Sequence, residues 1–251
     1  MGTHIDLNAD MGEYADEEQQ AVEQALMPLI TSCSIACGGH AGDEKTMRAT
    51  ARLARKHNVG VGAHPSYPDR EGFGRRRLTL LLETLRTAIN EQVASLKHIL
   101  DEEGIPLRHI KPHGALYNEA ANDVALADMI ADAAGDAILV GPPGSALERA
   151  ARDKGLCFAA EGFVDRLYLA SGGLTPRNQP GAVIENIETR AAQALTLARN
   201  ESLTVKGGVL KLCVDTLCVH SDSPGAVETA KAVRSRLEAN GVAIKAFERN
   251  K

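Results

Sequence analysis

Strand-like runs alternate with helix-like runs from one end of the chain to the other, and that alternation limits the fold more than any other feature. The hydrophobic pattern predicts strands over 4–9, 32–37, 59–63, 108–111, 137–141, 156–161, 216–220 and 243–247. Between them lie helical patterns over 17–30, 44–57, 78–103, 124–134, 145–154, 182–200 and 225–240. Strands separated by helices form βαβ units, in which the strands run parallel and the helices cover the sheet. Seven or eight such units in 251 residues predict a single TIM-like (β/α) barrel spanning 1–251. An open doubly wound sheet is the alternative, because it is written in the same alternation. Asp16 with Gln19 has the form of a capping box, and Gly104 and Gly241 stand where left-handed helix stops are expected. The stretch 169–181 is rich in Gly, Pro and polar residues and reads as a long strand-to-helix loop able to act as a lid.

Composition narrows the function. A net charge of −5 without a basic run argues against nucleic acid as the partner. No apolar run reaches the roughly 18 residues of a membrane span. The start Met1-Gly2-Thr3-His4-Ile5-Asp6 has no apolar signal stretch, and Asp6 stands where a myristoylation signal needs Ser or Thr. Five Cys without CxxC spacing read as small packed side chains in a reducing compartment. The expected location is the cytoplasm.

Chemistry collects at the C-terminal ends of the strands, where α/β barrels build their active sites. Asn8, Asp10 and Glu13 follow the first strand, His40 and Asp43 the second, and His64, Tyr67, Arg75 and Arg76 the third. Lys111, His113 and Tyr117 follow the fourth; Asp165 and Arg166 come after the sixth, and His220 and Asp222 after the seventh. Parity sharpens the pattern. Asp6, Asn8 and Asp10 share one face of their strand, and His109, Lys111 and His113 share one face of theirs. A buried parallel strand should read as nearly continuous apolar sequence, and each unpaired buried polar group costs roughly 1–3 kcal/mol. A hydrated barrel mouth accommodates these groups; a self-satisfied polar core is the structural alternative. All four tyrosines, Tyr14, Tyr67, Tyr117 and Tyr168, fall in or beside these segments, as the lining of a small-ligand pocket would. Asp43 reads equally as a plain N-cap. No GxxxxGK[ST] loop, GxGxxG fingerprint, GxSxG elbow or HExxH motif is present.

The ordered segments Asp6-Leu7-Asn8-Ala9-Asp10-Met11-Gly12-Glu13, Cys37-Gly38-Gly39-His40-Ala41-Gly42-Asp43, His64-Pro65-Ser66-Tyr67-Pro68-Asp69, Gly72-Phe73-Gly74-Arg75-Arg76, Lys111-Pro112-His113-Gly114, Phe163-Val164-Asp165-Arg166 and Cys218-Val219-His220 together resemble the LamB/YcsF family across almost the whole chain. Ser221 departs from the resemblance, standing where the family pattern has Gly before Asp222. The resemblance implies a distorted, seven-stranded barrel related to polysaccharide deacetylases. It also implies the A subunit of an ATP-dependent 5-oxoprolinase, which with the B and C subunits opens 5-oxo-L-proline to L-glutamate while hydrolysing ATP with Mg²⁺. On this expectation Asp10, His64, Lys111 and His113 are catalytic. Lys111 and one of Arg75 or Arg76 stabilise phosphoryl charge, and Asp10 with His64 or His113 handles the attacking water. Asn8, Glu13, His40, Tyr67, Tyr117, Asp165, Arg166 and His220 contact substrate, and Asp43 and Asp222 serve the nucleotide. The alternatives are a stand-alone metal-dependent amidase or deacetylase, with Asp10, His40 and His64 as zinc ligands, and a non-catalytic subunit that binds a lactam or carbohydrate.

Overall fold

The computed structural model describes residues 4–177 and 179–248; the Met1-Gly2 start and Asn178 of the 169–181 loop lie outside them. The strands are β1 (His4–Met11), β2 (Ser32–Ala36), β3 (Gly60–His64), β4 (Leu107–Ile110), β5 (Ile138–Gly141), β6 (Phe158–Phe163), β7 (Ser202–Val205), β8 (Gly208–Lys211), β9 (Thr216–Cys218) and β10 (Ala243–Ile244). The helices are α1 (Glu17–Leu26), α2 (Glu44–Lys56), α3 (Leu82–Glu102), α4 (Gly114–Ala120), α5 (Val124–Ala134), α6 (Ala146–Asp153), α7 (Ile187–Ala198) and α8 (Ala226–Ala239).

Strand β1 pairs in parallel with β2 on one side and β9 on the other, which closes the ring β1-β2-β3-β4-β5-β6-β9. The expected barrel is therefore correct and has seven staves. The predicted eighth strand exists but is no stave: β10 pairs beside the start of β1, through His4 with Ala243 and Ile5 with Ile244. Three helices are shorter than their patterns. α1 gives way to a 3-10 turn over Met27–Leu29, where Pro28 lacks the N–H to continue it. α7 starts only after Asn186, whose side chain accepts from the Thr189 N–H. α3 begins at Leu82 after extended backbone at Leu81. At α1, Asp16 caps Gln19 as expected, but Gln19 reaches back to the Ala15 N–H instead of that of Asp16. Two elements were not foreseen: α4, inside the motif after β4, and the antiparallel β7–β8 hairpin between α7 and β9.

The barrel sorts its side chains by the parity read in β1. Ile5, Leu7, Ala9 and Met11 are buried in the apolar layer between staves and helices. Asp6, Asn8 and Asp10 point into the ring, where Asn8 donates to Thr216 Oγ1 (2.6 Å) and Glu161 Oε1 (3.0 Å). The small cluster Ile138, Val140 and Ala159 is separate from the main apolar layer, with Phe247 packed against it.

Asp6 is the deepest of the β1 carboxylates, accepting from the hydroxyls of Thr31 (2.7 Å), Ser32 (2.7 Å) and Thr216. Burial outweighs those hydrogen bonds and pushes its pKa up to about 6. A folded-state value above the unfolded one means that the native state binds the extra proton, so stability is lost as pH rises through that window. Relative to Asp6→Asn, wild-type stability should fall by roughly 3 kcal/mol in all as pH rises from well below about 4 to well above about 6, at 1.36 kcal/mol per pKa unit. Roughly 2 kcal/mol of that falls between about pH 4.5 and about pH 7. Urea unfolding of both proteins at about pH 4.5 and about pH 7 measures this difference; parallel pH dependences would contradict it.

Candidate active site

The strand ends deliver their polar groups to one place. Lys111, just past β4, is among the largest fully buried side chains. Its Nζ lies 2.5 Å from Asp10 Oδ1 and 2.9 Å from Glu161 Oε1, and donates to Asn8 Oδ1 at 3.0 Å. Burial opposes the charge on Lys111, but Asp10, Cys218 and Glu161 hold its pKa well above the ordinary lysine value. Burial likewise opposes ionisation of Asp10, and His64 with Lys111 reverses the effect, holding it well below the usual carboxylate range. The centre is thus a desolvated ammonium clasped by carboxylates from β1 and β6.

A second group abuts it. His64, ending β3, has Nε2 3.2 Å from Asp10 Oδ2 and 2.9 Å from His113 Nδ1. The Glu13 Oε1 atom lies 2.8 Å from His40 Nε2, 3.4 Å from His113 Nδ1 and 3.8 Å from His64 Nε2. Burial and the nearby Asp10 charge push the Glu13 carboxyl up to about 7. Burial drives His40 down to about 2 and His113 well below the ordinary histidine value, each helped by neighbouring imidazoles. Backbone holds the group in place. Gly12 and Glu13 donate their N–H groups to the Glu23 carboxylate, at 2.7 and 2.9 Å. Phe73 adopts a left-handed φ of 52°, which a bulky residue rarely does, and its carbonyl accepts from His113 Nε2 at 2.9 Å.

A third pair stands opposite. Asp165 accepts from His220 Nδ1 at 2.9 Å and from Ser223 Oγ at 3.1 Å. Burial raises the Asp165 pKa, but His220 more than compensates, leaving it at about 2. Ser221, the departure from the family pattern, donates its hydroxyl to the Asp10 carbonyl at 2.7 Å and so ties this loop to β1.

These groups surround a cavity of about 590 Å³. Asp10, Glu13, His64, Lys111, His113 and Glu161 line it, with Arg75, Tyr117, Arg166, His220 and Asp222. Residues 171–177 of the loop after β6 form another part of the wall. Arg166 anchors that loop by donating to the carbonyls of Thr175 (2.7 Å) and Ala182 (3.4 Å). Burial and the nearby Arg177 lower its pKa to about 10.

Several expected site residues stand elsewhere. Asp43 is exposed and N-caps α2 through the Thr46 N–H, outside the cavity wall. Arg76 is held by Asp69 at 2.5 Å, so of the two arginines only Arg75 reaches the wall, where it pairs with Asp222. Tyr67 donates to Glu119 at 2.8 Å, and Tyr14 accepts from Gln20 in a separate cleft. Only Tyr117 and Tyr168 line the main cavity. Asn8, His40 and Asp165 sit behind the wall and hold its members. Glu161 ends the sixth expected strand (156–161) but had no expected role, although a lone carboxylate inside the apolar run Phe158–Phe163 was a readable sign.

The family model described as the LamB/YcsF family matches residues 5–251. The chain belongs to that family. This LamB/YcsF protein is 46% identical to the 5-oxoprolinase A subunit of Methylococcus capsulatus, over 98% of this chain and 97% of the relative. It is 45% identical to the corresponding 5-oxoprolinase A subunit of Symbiobacterium thermophilum, over 96% and 94% respectively. Among solved structures it is similar to the lactam utilization protein of Thermus thermophilus, with TM-score 0.88 and 40% identity, covering 97% of this chain and all (100%) of that one. The family 4 carbohydrate esterase of Streptomyces lividans shares the fold alone, at TM-score 0.53 and 10% identity over 98% and 93% of the two chains. Among the described residues, no helix is long and apolar enough to cross a membrane.

Proposed function

We propose that this chain is the A subunit of a cytoplasmic, ATP-dependent 5-oxoprolinase that works with partner B and C subunits. It opens 5-oxo-L-proline to L-glutamate while ATP becomes ADP and phosphate. Support comes from the full-length relatives named as 5-oxoprolinase A subunits and from the similarity to a lactam utilization protein. The observation that carries the reading is the meeting of Lys111, Asp10 and Glu161 in the wall of a cavity that also presents Arg75 and Arg166. Cationic groups suit an anionic ligand, and paired acid–base groups suit an amide that must be activated before water can open it.

The lactam oxygen takes the γ-phosphoryl group of ATP and ADP leaves; water adds to the activated carbon and gives up a proton. The C–N bond then breaks to leave an acyl phosphate and a free amine, and a second water releases phosphate and glutamate. Lys111 and Arg75 stabilise the negative charge that develops on oxygen, while the imidazoles beside Asp10 orient the water and Asp10 takes its proton. Tyr117 packs against the small ring. ATP with Mg²⁺ would approach from the side of the cavity where Arg75 and Asp222 stand, which offers a cation to the phosphates and a carboxylate to the metal.

The test is a 5-oxoproline-dependent ATPase assay with and without candidate B and C subunits. Phosphate release that needs both the lactam and the partners is expected. Lactam hydrolysis by the isolated chain without ATP would overturn this assignment in favour of a stand-alone hydrolase.

A further inference from the structure

The imidazoles of His64 and His113 face each other in a way that two neutral rings cannot sustain alone. His64 Nδ1 lies 2.7 Å from the Lys111 carbonyl, and His113 Nε2 lies 2.9 Å from the Phe73 carbonyl. A carbonyl only accepts, so both of these nitrogens carry their hydrogens. The remaining nitrogens, His64 Nε2 and His113 Nδ1, then point lone pairs at each other across 2.9 Å. Lone pairs at that separation repel, and a cation between them removes the repulsion. His40 Nε2 and Glu13 Oε1 complete the enclosure, and the four ligand atoms all lie within 4.8 Å of one another.

We infer that Glu13, His40, His64 and His113 form a binding site for a divalent first-row transition ion, with Zn²⁺ the best fit. Three imidazoles and one carboxylate are ordinary zinc donors. With bonds of about 2.0–2.1 Å, tetrahedral ligand atoms stand roughly 3.3 Å apart. Four of the six separations run from 2.8 and 2.9 Å through 3.4 to 3.8 Å, and all six lie within 4.8 Å, so adjustments of about an ångström suffice. The backbone carbonyls behind His64 and His113 are the outer partners that metal-bound histidines characteristically have; they fix the tautomer and aim the ring. His40 Nδ1 has no hydrogen-bond partner, so His40 can turn Nε2 into a lone-pair donor by a change of tautomer alone.

Glu13, His64 and His113 line the cavity, so the ion lies beside the proposed lactam position. Its use in opening a lactam rests on the oxoprolinase reading; its binding does not. As ligands, His64 and His113 have no lone pair left to take a proton from water, which leaves that task to Asp10.

The experiment measures binding on the full chain, without lactam, ATP or partner subunits. Protein stripped with a chelator and dialysed is titrated with Zn²⁺ and, separately, Co²⁺. One tightly held equivalent by metal analysis is expected, with a visible Co²⁺ ligand-field band and a metal-dependent rise in melting temperature. His113→Gln and His40→Gln should each weaken binding by more than about tenfold, the low end of what losing even an outer partner of a metal ligand costs. Circular dichroism confirms that each variant is folded. Cys218→Ser is the control, because Asp10, Cys218 and His220 form a second, smaller cluster of possible ligands. Loss of the ion in Cys218→Ser with retention in folded His113→Gln would overturn the assignment. So would the absence of stoichiometric binding by wild type, which would leave a shared proton as the cation between the rings. A missing ATPase with intact zinc binding would fail the oxoprolinase reading alone.

Discussion

Lys111→Met should abolish 5-oxoproline-dependent ATP hydrolysis in the reconstituted complex while leaving a chain that still folds at low temperature. The loss should reach at least the order of 10²–10³-fold seen when one preorganised donor to a developing oxyanion is removed. Stability should also fall, by roughly 3–5 kcal/mol, because truncation leaves Asp10 and Glu161 buried with no cation between them. The two effects separate in a second variant. Adding Glu161→Gln neutralises one orphaned carboxylate, so the double variant should regain part of the stability and none of the turnover. Denaturant unfolding and a phosphate-release assay on the same preparations read both quantities. Glutamate formation at the wild-type rate by Lys111→Met would show that Lys111 is structural.

Why the barrel was legible and parts of its site were not follows from how each is encoded. Strand and helix periods repeat along the chain, so the staves and their parallel order could be read locally, though the pattern counted eight strands where seven close the ring. The parity of Asp6, Asn8 and Asp10 correctly aimed them into the ring. The limits of the elements depend on single residues such as Pro28 and Asn186, which override periodicity. The β7–β8 hairpin had a visible signal in two short β-rich runs split by Lys206-Gly207, but the expected βαβ rhythm left no place for it. Within the site, residue type pointed to Lys111, Asp10, His64 and His113. What sequence could not show is who faces whom. Asp43 and Asp222 both end post-strand motifs, yet one caps a helix in solvent and the other pairs with Arg75 in the cavity wall. Arg75 and Arg76 are adjacent, and an outward turn gives Arg76 to Asp69. Glycines are the hardest to read, because their reason lies in another strand.

Gly62→Ala should be the most destabilising single methyl that can be added to this barrel wall. A Cβ at position 62 would lie 2.2 Å from both Cδ2 and Nε2 of the His109 ring, far inside contact distance. His109 cannot step aside cheaply. It is 1% exposed, its Nε2 pairs with Ser34 Oγ at 3.1 Å, and its ring meets Phe247 with centroids 5.3 Å apart. Overpacking of a tight core costs typically 1–3 kcal/mol, and the upper end is expected where ring and backbone must both move. At roughly 2–4 °C per kcal/mol for a chain of this size, about 3 kcal/mol corresponds to a fall of about 10 °C in Tm. The cause is testable apart from its size. In a His109→Ala background the ring is gone and the new methyl enters free space, so Gly62→Ala should then cost under about 1 kcal/mol. A coupling of that magnitude assigns the glycine to His109; additive costs in the two backgrounds would contradict it. His109 shares its strand face with Lys111, with one residue between them, so a ring displaced toward the cavity should also disturb the ammonium. Gly62→Ala assayed well below its Tm is therefore expected to turn over more slowly than wild type, and His109→Ala/Gly62→Ala to turn over at the rate of His109→Ala.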